Sequence, residues 1–391
     1  MLNCSGDMSY KILYINGTSN IGGAEASLLS LLKGINKDYF CPIAAVPQNG
    51  PLAEKLKCIG IEVEIIRITE FSRRKVLQFL VNTFRLAFFI RKKNIGLVHS
   101  NSIYAAEQSF LAAKLAGVPC ICHVRDLVPI LGAGKIRSVA FKSVERLIAI
   151  SEAVKKDLVE KLRIPENKIT RIYNGVDTDE FSPDISDSKF CNEFRLGSKK
   201  LVGLVGRFSP EKGQEFFLKA AAEVMKEYKE VSFILVGDAK LGSDKFKEEI
   251  LDLSRRLDLK DNVIFIGFRD DLPNVLVALD MLVVPSRAEP FGRVIIEAFA
   301  CGVPVIATDS GATPEIISKD SGMLIEPNNI GQLKQAIIEL LKNPLRLKQM
   351  GQEGRKIVLE KFNIYKHVLA VSELYREILR RDRNMPNNEG K

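Results

Sequence analysis

An alternation that runs through the chain twice constrains the fold more than any other feature. Short apolar runs ending in small or polar residues are separated by amphipathic stretches. In the first half the runs are Lys11–Asn16, Cys41–Pro47, Ile61–Ile66, Ile95–Asn101, Val118–Val124 and Arg146–Ser151. In the second they are Lys200–Gly206, Val231–Gly237, Asn262–Phe268, Met281–Ser286 and Val303–Thr308. Near-continuous β-branched runs suit parallel strands covered on both faces. Their alternation with helical stretches predicts α/β architecture with two doubly wound domains, and 391 residues suffice for two cores. Residues 181–199 mix Ser, Asp, Pro and Gly with few periodic apolar positions, so the expected domains are 1–185 and 186–361. An amphipathic helix and tail over 362–391 follow and can cross back to the first domain.

Doubly wound domains bind ligands beyond the carboxyl ends of their strands. In the second half, strand Met281–Ser286 runs into the turn 287–292 and then into a helix beginning near Arg293. The main-chain N–H groups of Phe291, Gly292 and Arg293 then fall in a first helical turn, where an anion is favoured. Gly292 permits close backbone approach. Glu289 and Glu297 flank this terminus, and a carboxylate can accept from two vicinal hydroxyls of a ribose or hexose. Phosphate donors beside hydroxyl acceptors suggest a nucleotide-sugar. The blander reading of Glu297, a helix residue stabilised by the dipole, stands beside this one. Arg207, after strand Lys200–Gly206, and Lys212, in the next loop, supply two cations for a diphosphate. Such a pair can neutralise a departing nucleotide without a metal.

Five motifs in order carry a resemblance: Gly22–Glu25 (GGAE), Asn174–Asp177 (NGVD), Arg207 to Gly213 (RxxxxKG after Gly206), Glu289–Glu297 (E-x7-E) and Gly311–Glu315 (GxxPE). Together they resemble the retaining glycosyltransferases of the GT4 type, over about Tyr10 to Tyr375. The resemblance implies a GT-B fold of two Rossmann-like domains facing across a cleft, the first holding an acceptor and the second a nucleoside diphosphate sugar. It implies that Gly22 and Gly23 face the donor, that Arg207 and Lys212 bind the diphosphate, and that Phe291, Gly292 and Arg293 offer main chain to phosphate. Glu289 would hold hexose hydroxyls and Glu297 the ribose, with main chain at Gly267 and Phe268 on the base. His123 resembles an active-site histidine lining the sugar pocket. Many relatives place Asp directly after that histidine, whereas Val124-Arg125-Asp126 follow here. His99, within an apolar strand, reads as a core residue, and His367 as solvated. Asn174, Asp177 and Glu315 read as structural.

Composition removes competing classes. No G-x-G-x-x-G follows a strand and no G-x-x-x-x-G-K-[ST] occurs, so dinucleotide and P-loop readings lack their motifs. No aromatic-rich basic module points to nucleic acid. Asp177-Thr178-Asp179 matches a metal-binding D-x-D pattern but lies inside the NGVD element, and Cys120, Cys122 and His123 alternate across a strand and cannot share one ion. The expectation is a transferase with no metal and no cofactor beyond its donor substrate. Seven scattered Cys and no signal peptide fit a reducing, cytoplasmic setting.

The formal charge of +9 is unevenly placed. Residues 1–180 carry 25 Lys and Arg against 17 Asp and Glu, an excess of +8, whereas residues 181–391 carry 32 against 31, +1. An anionic partner should therefore meet the first half, either a membrane surface on the cytoplasmic face or a lipid-linked or saccharide acceptor bearing phosphate. The segment Phe71–Asn94 has an apolar stretch, Val76–Ile90, broken by Arg85 and too short for the ~20 residues of a membrane span. It reads equally as a core helix and as an interfacial helix, and the two readings fit different faces. Two other functions keep the same fold: a nucleotide-sugar 2-epimerase, which would convert donor without acceptor, and a non-catalytic sugar-nucleotide-binding subunit.

Overall fold

The computed structural model describes residues 9–69, 71–127, 141–194, 196–239, 244–259 and 262–382. The chain divides into two compact units, Met1–Gly175 with Ile364–Lys391, and Val176–Asn363. The division falls at Gly175, earlier than the sequence placed it, because the segment after it is tied to the second unit. Val176 bridges Asn363 and its N–H donates to Phe362 O at 2.9 Å. Asn363 Nδ2 donates to Thr178 Oγ1 at 3.2 Å, and Arg355 Nη1 to Phe181 O at 2.9 Å. The Asp177 carboxylate accepts from the N–H groups of Asp179 and Glu180 at 3.1 and 3.2 Å, closing a turn.

The first unit is a parallel sheet in the order β3-β2-β1-β4-β5-β6-β7. The strands are β1 (Tyr10–Ile15), β2 (Phe40–Val46), β3 (Glu62–Ile65), β4 (Leu97–Ser100), β5 (Cys120–Val124), β6 (Arg146–Ala149) and β7 (Ile169–Arg171). Helices α1 (Gly23–Gly34), α2 (Pro51–Cys58), α3 (Val76–Lys92) and α4 (Ile103–Ala116) connect the first of them. β2, β4 and β5 are buried along their whole length, as both-face burial requires. The helix Ile364–Asp382 completes this core. Val371, Leu374, Tyr375, Ile378 and Leu379, at helical spacing, join Ile12, Tyr14, Phe40 and Leu97 in one cluster. Tyr375 meets Phe40 edge-on at 5.5 Å between centroids. Such an arrangement contributes about 0.5–1.5 kcal/mol beyond the area it buries.

The second unit is a parallel sheet in the order β10-β9-β8-β11-β12-β13. Its strands are β8 (Lys200–Val205), β9 (Val231–Val236), β10 (Val263–Gly267), β11 (Met281–Val284), β12 (Val305–Thr308) and β13 (Gly322–Ile325). Phe217 packs edge-on against Phe233 at 5.7 Å in its core, where truncation of either ring would cost about 3–5 kcal/mol. β7 and β13, absent from the sequence reading, are the short strands closing one edge of each sheet. In each unit the chain order reverses beside the first strand, between β1 and β4 and between β8 and β11. These reversals are the switch points where open α/β sheets bind ligands.

Among the described residues no helix is long and apolar enough to cross a membrane. Cys58, Cys120, Cys122, Cys191 and Cys301 are free thiols.

Candidate active site

The reversal in the second unit collects the charged residues singled out in the sequence. Arg207 follows β8 and stays exposed, with its backbone carbonyl accepting from Gln214 Nε2 at 2.8 Å. Lys212 lies in the next turn. Gly213 then takes φ 73°, and a Cβ there would stand 2.2 Å from Pro285 O. Only glycine lets this turn close on the loop after β11. The closure brings Lys212 Nζ to 2.7 Å from Glu289 Oε2. Ser286 Oγ donates to the same oxygen at 2.9 Å. Glu289 is buried, so its charge is matched by an ammonium and a hydroxyl rather than by bulk water.

The backbone of Glu289 is pinned separately. It bridges Gly311, and its carbonyl accepts from Ala312 N–H at 2.8 Å. A Cβ on Gly311, at φ 61°, would lie 2.2 Å from that carbonyl oxygen, which gives the GxxPE glycine its reason. Gly292, at φ 93°, caps the helix Arg293–Ala300. Phe291 is buried edge-on against Phe362. Glu297 is buried and accepts from Arg293 Nη2 at 2.7 Å, so in this structure the pair one turn apart satisfies itself. Gly267 ends β10, two strands away from β8, and its carbonyl accepts from Gly237 N–H at 2.7 Å. Phe268 beside it is exposed.

The reversal in the first unit is built differently, from buried amides around one guanidinium. Gly22 caps α1, and its N–H donates to Glu25 Oε2 at 3.0 Å. Glu25 Oε1 accepts from Asn16 Nδ2 at 3.1 Å, and Asn16 Oδ1 accepts from Asn101 Nδ2 at 2.9 Å. Asn101 in turn accepts from Arg125, through its backbone oxygen at 3.1 Å and through Oδ1 at 2.9 Å. Arg125 Nη1 also donates to Ser27 Oγ at 2.9 Å and to Asn174 Oδ1 at 3.0 Å. A chain of hydrogen bonds therefore runs from the exposed Gly22–Gly23 turn into the core and ends on a buried cation.

His123, expected at the sugar pocket, is 0% exposed in this structure. Its ring stacks between His99 at 5.4 Å and His367 at 6.0 Å, and Arg125 Nη2 stands 3.3 Å from its Nδ1. Burial and the Arg125 charge hold both His123 and His99 neutral, with His99 lowered to about 3. His99 is the core residue expected, with Nδ1 2.5 Å from Tyr375 Oη. His367 is buried instead of solvated, with Nδ1 2.7 Å from the carbonyl oxygen of Tyr173.

Arg125, Asn16, Asn101, Glu25 and Ser27 escaped the sequence reading as a group. The one available signal was that Val124-Arg125-Asp126 follow His123 where the resemblance calls for an Asp directly after the histidine.

Residues 21–180 match the family model described as Glycosyltransferase Family 4, and residues 188–357 match Glycosyl transferases group 1. The UDP-Gal:alpha-D-GlcNAc-diphosphoundecaprenol alpha-1,3-galactosyltransferase of Escherichia coli is 27% identical over 388 residues, 91% of this chain and 97% of that protein. The N-acetyl-alpha-D-glucosaminyl L-malate synthase of Bacillus anthracis is 27% identical over 311 residues, 77% of this chain and 79% of that one. Among solved structures, Anabaena Alr3699/HepE in complex with UDP and glucose superposes with a TM-score of 0.85 at 25% identity, covering 94% of this chain and 99% of that one.

Proposed function

Because its two halves belong to Glycosyltransferase Family 4 and Glycosyl transferases group 1, the chain is a glycosyltransferase of GT-B fold, and we propose that it transfers a sugar with retention from a nucleoside diphosphate sugar to a lipid-linked saccharide. The observation that carries this reading is the Lys212–Glu289 pair at 2.7 Å, seated at the second unit's switch point beside Arg207 and the Gly292 cap. An incoming diphosphate competes for Lys212 and Arg207, while the buried Glu289 carboxylate, relieved of its ammonium, accepts from sugar hydroxyls. Glu297 takes the ribose in the same way, by exchange with Arg293.

Charge that builds on the departing phosphate is met by Arg207, Lys212 and the start of the helix Arg293–Ala300. Positioning and exclusion of water supply the rest. A phosphate oxygen of the leaving group takes the acceptor proton on the same face, so the protein needs neither a separate base nor an added metal. In the first unit, the relay from Arg125 to Gly22 sets the Gly22–Gly23 turn at that unit's own switch point. The Escherichia coli and Anabaena relatives are named for a UDP-sugar donor and for bound UDP, which supports a uridine donor, and the former acts on a diphosphoundecaprenol-linked sugar. This favours an enzyme of cell-surface glycan synthesis working on the cytoplasmic face of a membrane.

The test is a thermal-shift screen of UDP-, GDP- and ADP-sugars, followed by transfer to a polyprenyl-diphosphate-linked N-acetylglucosamine. The anomeric configuration of the product is then read by NMR. A UDP-sugar should raise the melting temperature and yield a product of unchanged anomeric configuration. An inverted product overturns retention, and an epimer formed from donor alone makes the chain a 2-epimerase.

A further inference from the structure

The helix α3, 17 residues long, carries two apolar faces on opposite sides. One is core: Phe79, Leu86, Ala87 and Ile90 are buried, and Phe79 meets Phe71 edge-on at 5.4 Å. The other repeats at i, i+3, i+4, i+7 and i+11 and faces solvent. On it Leu77 is 78% exposed, Phe84 60% and Phe88 67%, with Leu80 and Val81 between them also exposed. A stripe of that size and regularity on a soluble unit marks an interaction surface.

The charges around the stripe identify its partner. From Phe71 to Ala106 there are seven Lys and Arg and no Asp or Glu. Among the described side chains, Lys93 pairs with Glu62 and Glu64 at 2.5 and 3.0 Å, and Arg91 Nη2 donates to Leu115 O. Arg74 and Lys75 before the helix, Arg85 on its rim and Lys92 at its end are exposed. A second copy of the chain docking about a twofold axis would bring the same cations against themselves with no carboxylate of this segment to answer them. An anionic leaflet answers all of them, while the aromatic and aliphatic side chains enter the acyl boundary.

We propose that the outward face of α3 is a docking surface for an anionic lipid bilayer, with Leu77, Phe84 and Phe88 inserted and Arg85 and Lys92 on headgroup phosphates. The helix would lie in the interface, which agrees with its being too short to span. Its biological sense rests on the lipid-linked acceptor proposed above, but docking is measurable without turnover.

The experiment is co-sedimentation of the full chain with vesicles of phosphatidylcholine and phosphatidylglycerol, against vesicles of phosphatidylcholine alone. Wild type should sediment with the anionic vesicles only, and release as salt is raised. Phe84→Ser with Phe88→Ser, both at exposed positions, should weaken binding roughly tenfold or more. Arg85→Gln and Lys92→Gln should each weaken it about fivefold. The double serine variant should keep its UDP-sugar thermal shift and its transfer to a soluble acceptor analogue.

Equal sedimentation of wild type and the double variant overturns the proposal. So does a wild-type dimer that becomes monomeric in the variant with no vesicle binding by either, which would make the face a contact between copies. A wild type that binds vesicles but no sugar nucleotide would sink the enzymatic reading and leave the docking intact.

Discussion

The two units share one architecture, yet their switch points are furnished in opposite ways. In the second unit the reversal holds charges in reach of solvent: an exposed Arg207, a half-buried Lys212 and a Glu289 bound through one oxygen to both Lys212 and Ser286. In the first the cation, Arg125, is buried and fully engaged, and what reaches the surface is a glycine turn. Exchangeable ion pairs suit a site that must trade partners with a charged ligand. A buried relay suits a site that must keep its shape.

The largest effects should come from breaking the second arrangement. Glu289→Ala, Lys212→Ala and Arg207→Ala should each lower transfer about 10²–10³-fold, the usual cost of removing one preorganised electrostatic contact. Arg207→Ala should leave the melting temperature within a few degrees of wild type, because Arg207 is exposed, whereas Lys212→Ala leaves the buried Glu289 carboxylate with Ser286 alone and should lower it further. Near-wild-type turnover in all three, measured with saturating donor, would end the assignment.

In the first unit the order of effects should invert, with stability suffering before chemistry. Arg125→Met leaves Asn101 and Ser27 Oγ without their donor, and Asn174 Oδ1 with Ser27 alone, and should cost about 3 kcal/mol of unfolding free energy. Arg125→Lys, which restores the charge but not the fork, should recover part of it. Chemical denaturation measures both, and a transfer assay on the lysine variant tests the relay. A KM for donor that rises while kcat holds would mean that the Gly22–Gly23 turn has lost its setting, whereas unchanged kinetics would limit Arg125 to a structural role.

The stacked histidines make that unit acid-sensitive. His99 and His123 are neutral in the fold with lowered pKa values, so the unfolded chain binds the extra protons as pH falls through about 6.5. Unfolding free energy should therefore fall by about 1.4 kcal/mol per pH unit for each buried histidine between pH about 6.5 and the lowered folded value. Full stability returns above the unfolded pKa. Melting curves of His123→Asn should be flatter in that window, and a parallel slope would dismiss the histidine account. The smallest effect expected is none at all: activity in excess EDTA should match the untreated enzyme. Loss restored by Mn²⁺ would return Asp177 and Asp179 to consideration.

Much of this was legible from residue order. The core strands announce themselves as β-branched runs, and Lys212, Glu289 and Gly292 announce themselves by spacing, because their neighbours are set by short turns. What the sequence hid depends on distant segments meeting. Arg125 looks like an ordinary surface base until Asn101 and Asn174 converge on it. His367 lies on an amphipathic helix that gives no hint of its partner, Tyr173, 194 residues away. β7 and β13 are three and four residues long with partly exposed faces, and so leave too little pattern to read.

The helix Ile364–Asp382 has a consequence for synthesis. The chain leaves the first unit at Gly175 and re-enters it at Ile364, with the whole second unit in between. A nascent chain emerging from the ribosome can complete the second unit while the first still lacks Val371, Tyr375 and Ile378 in its core. The unit begun first is finished last, and until then its apolar sheet face needs protection from other chains.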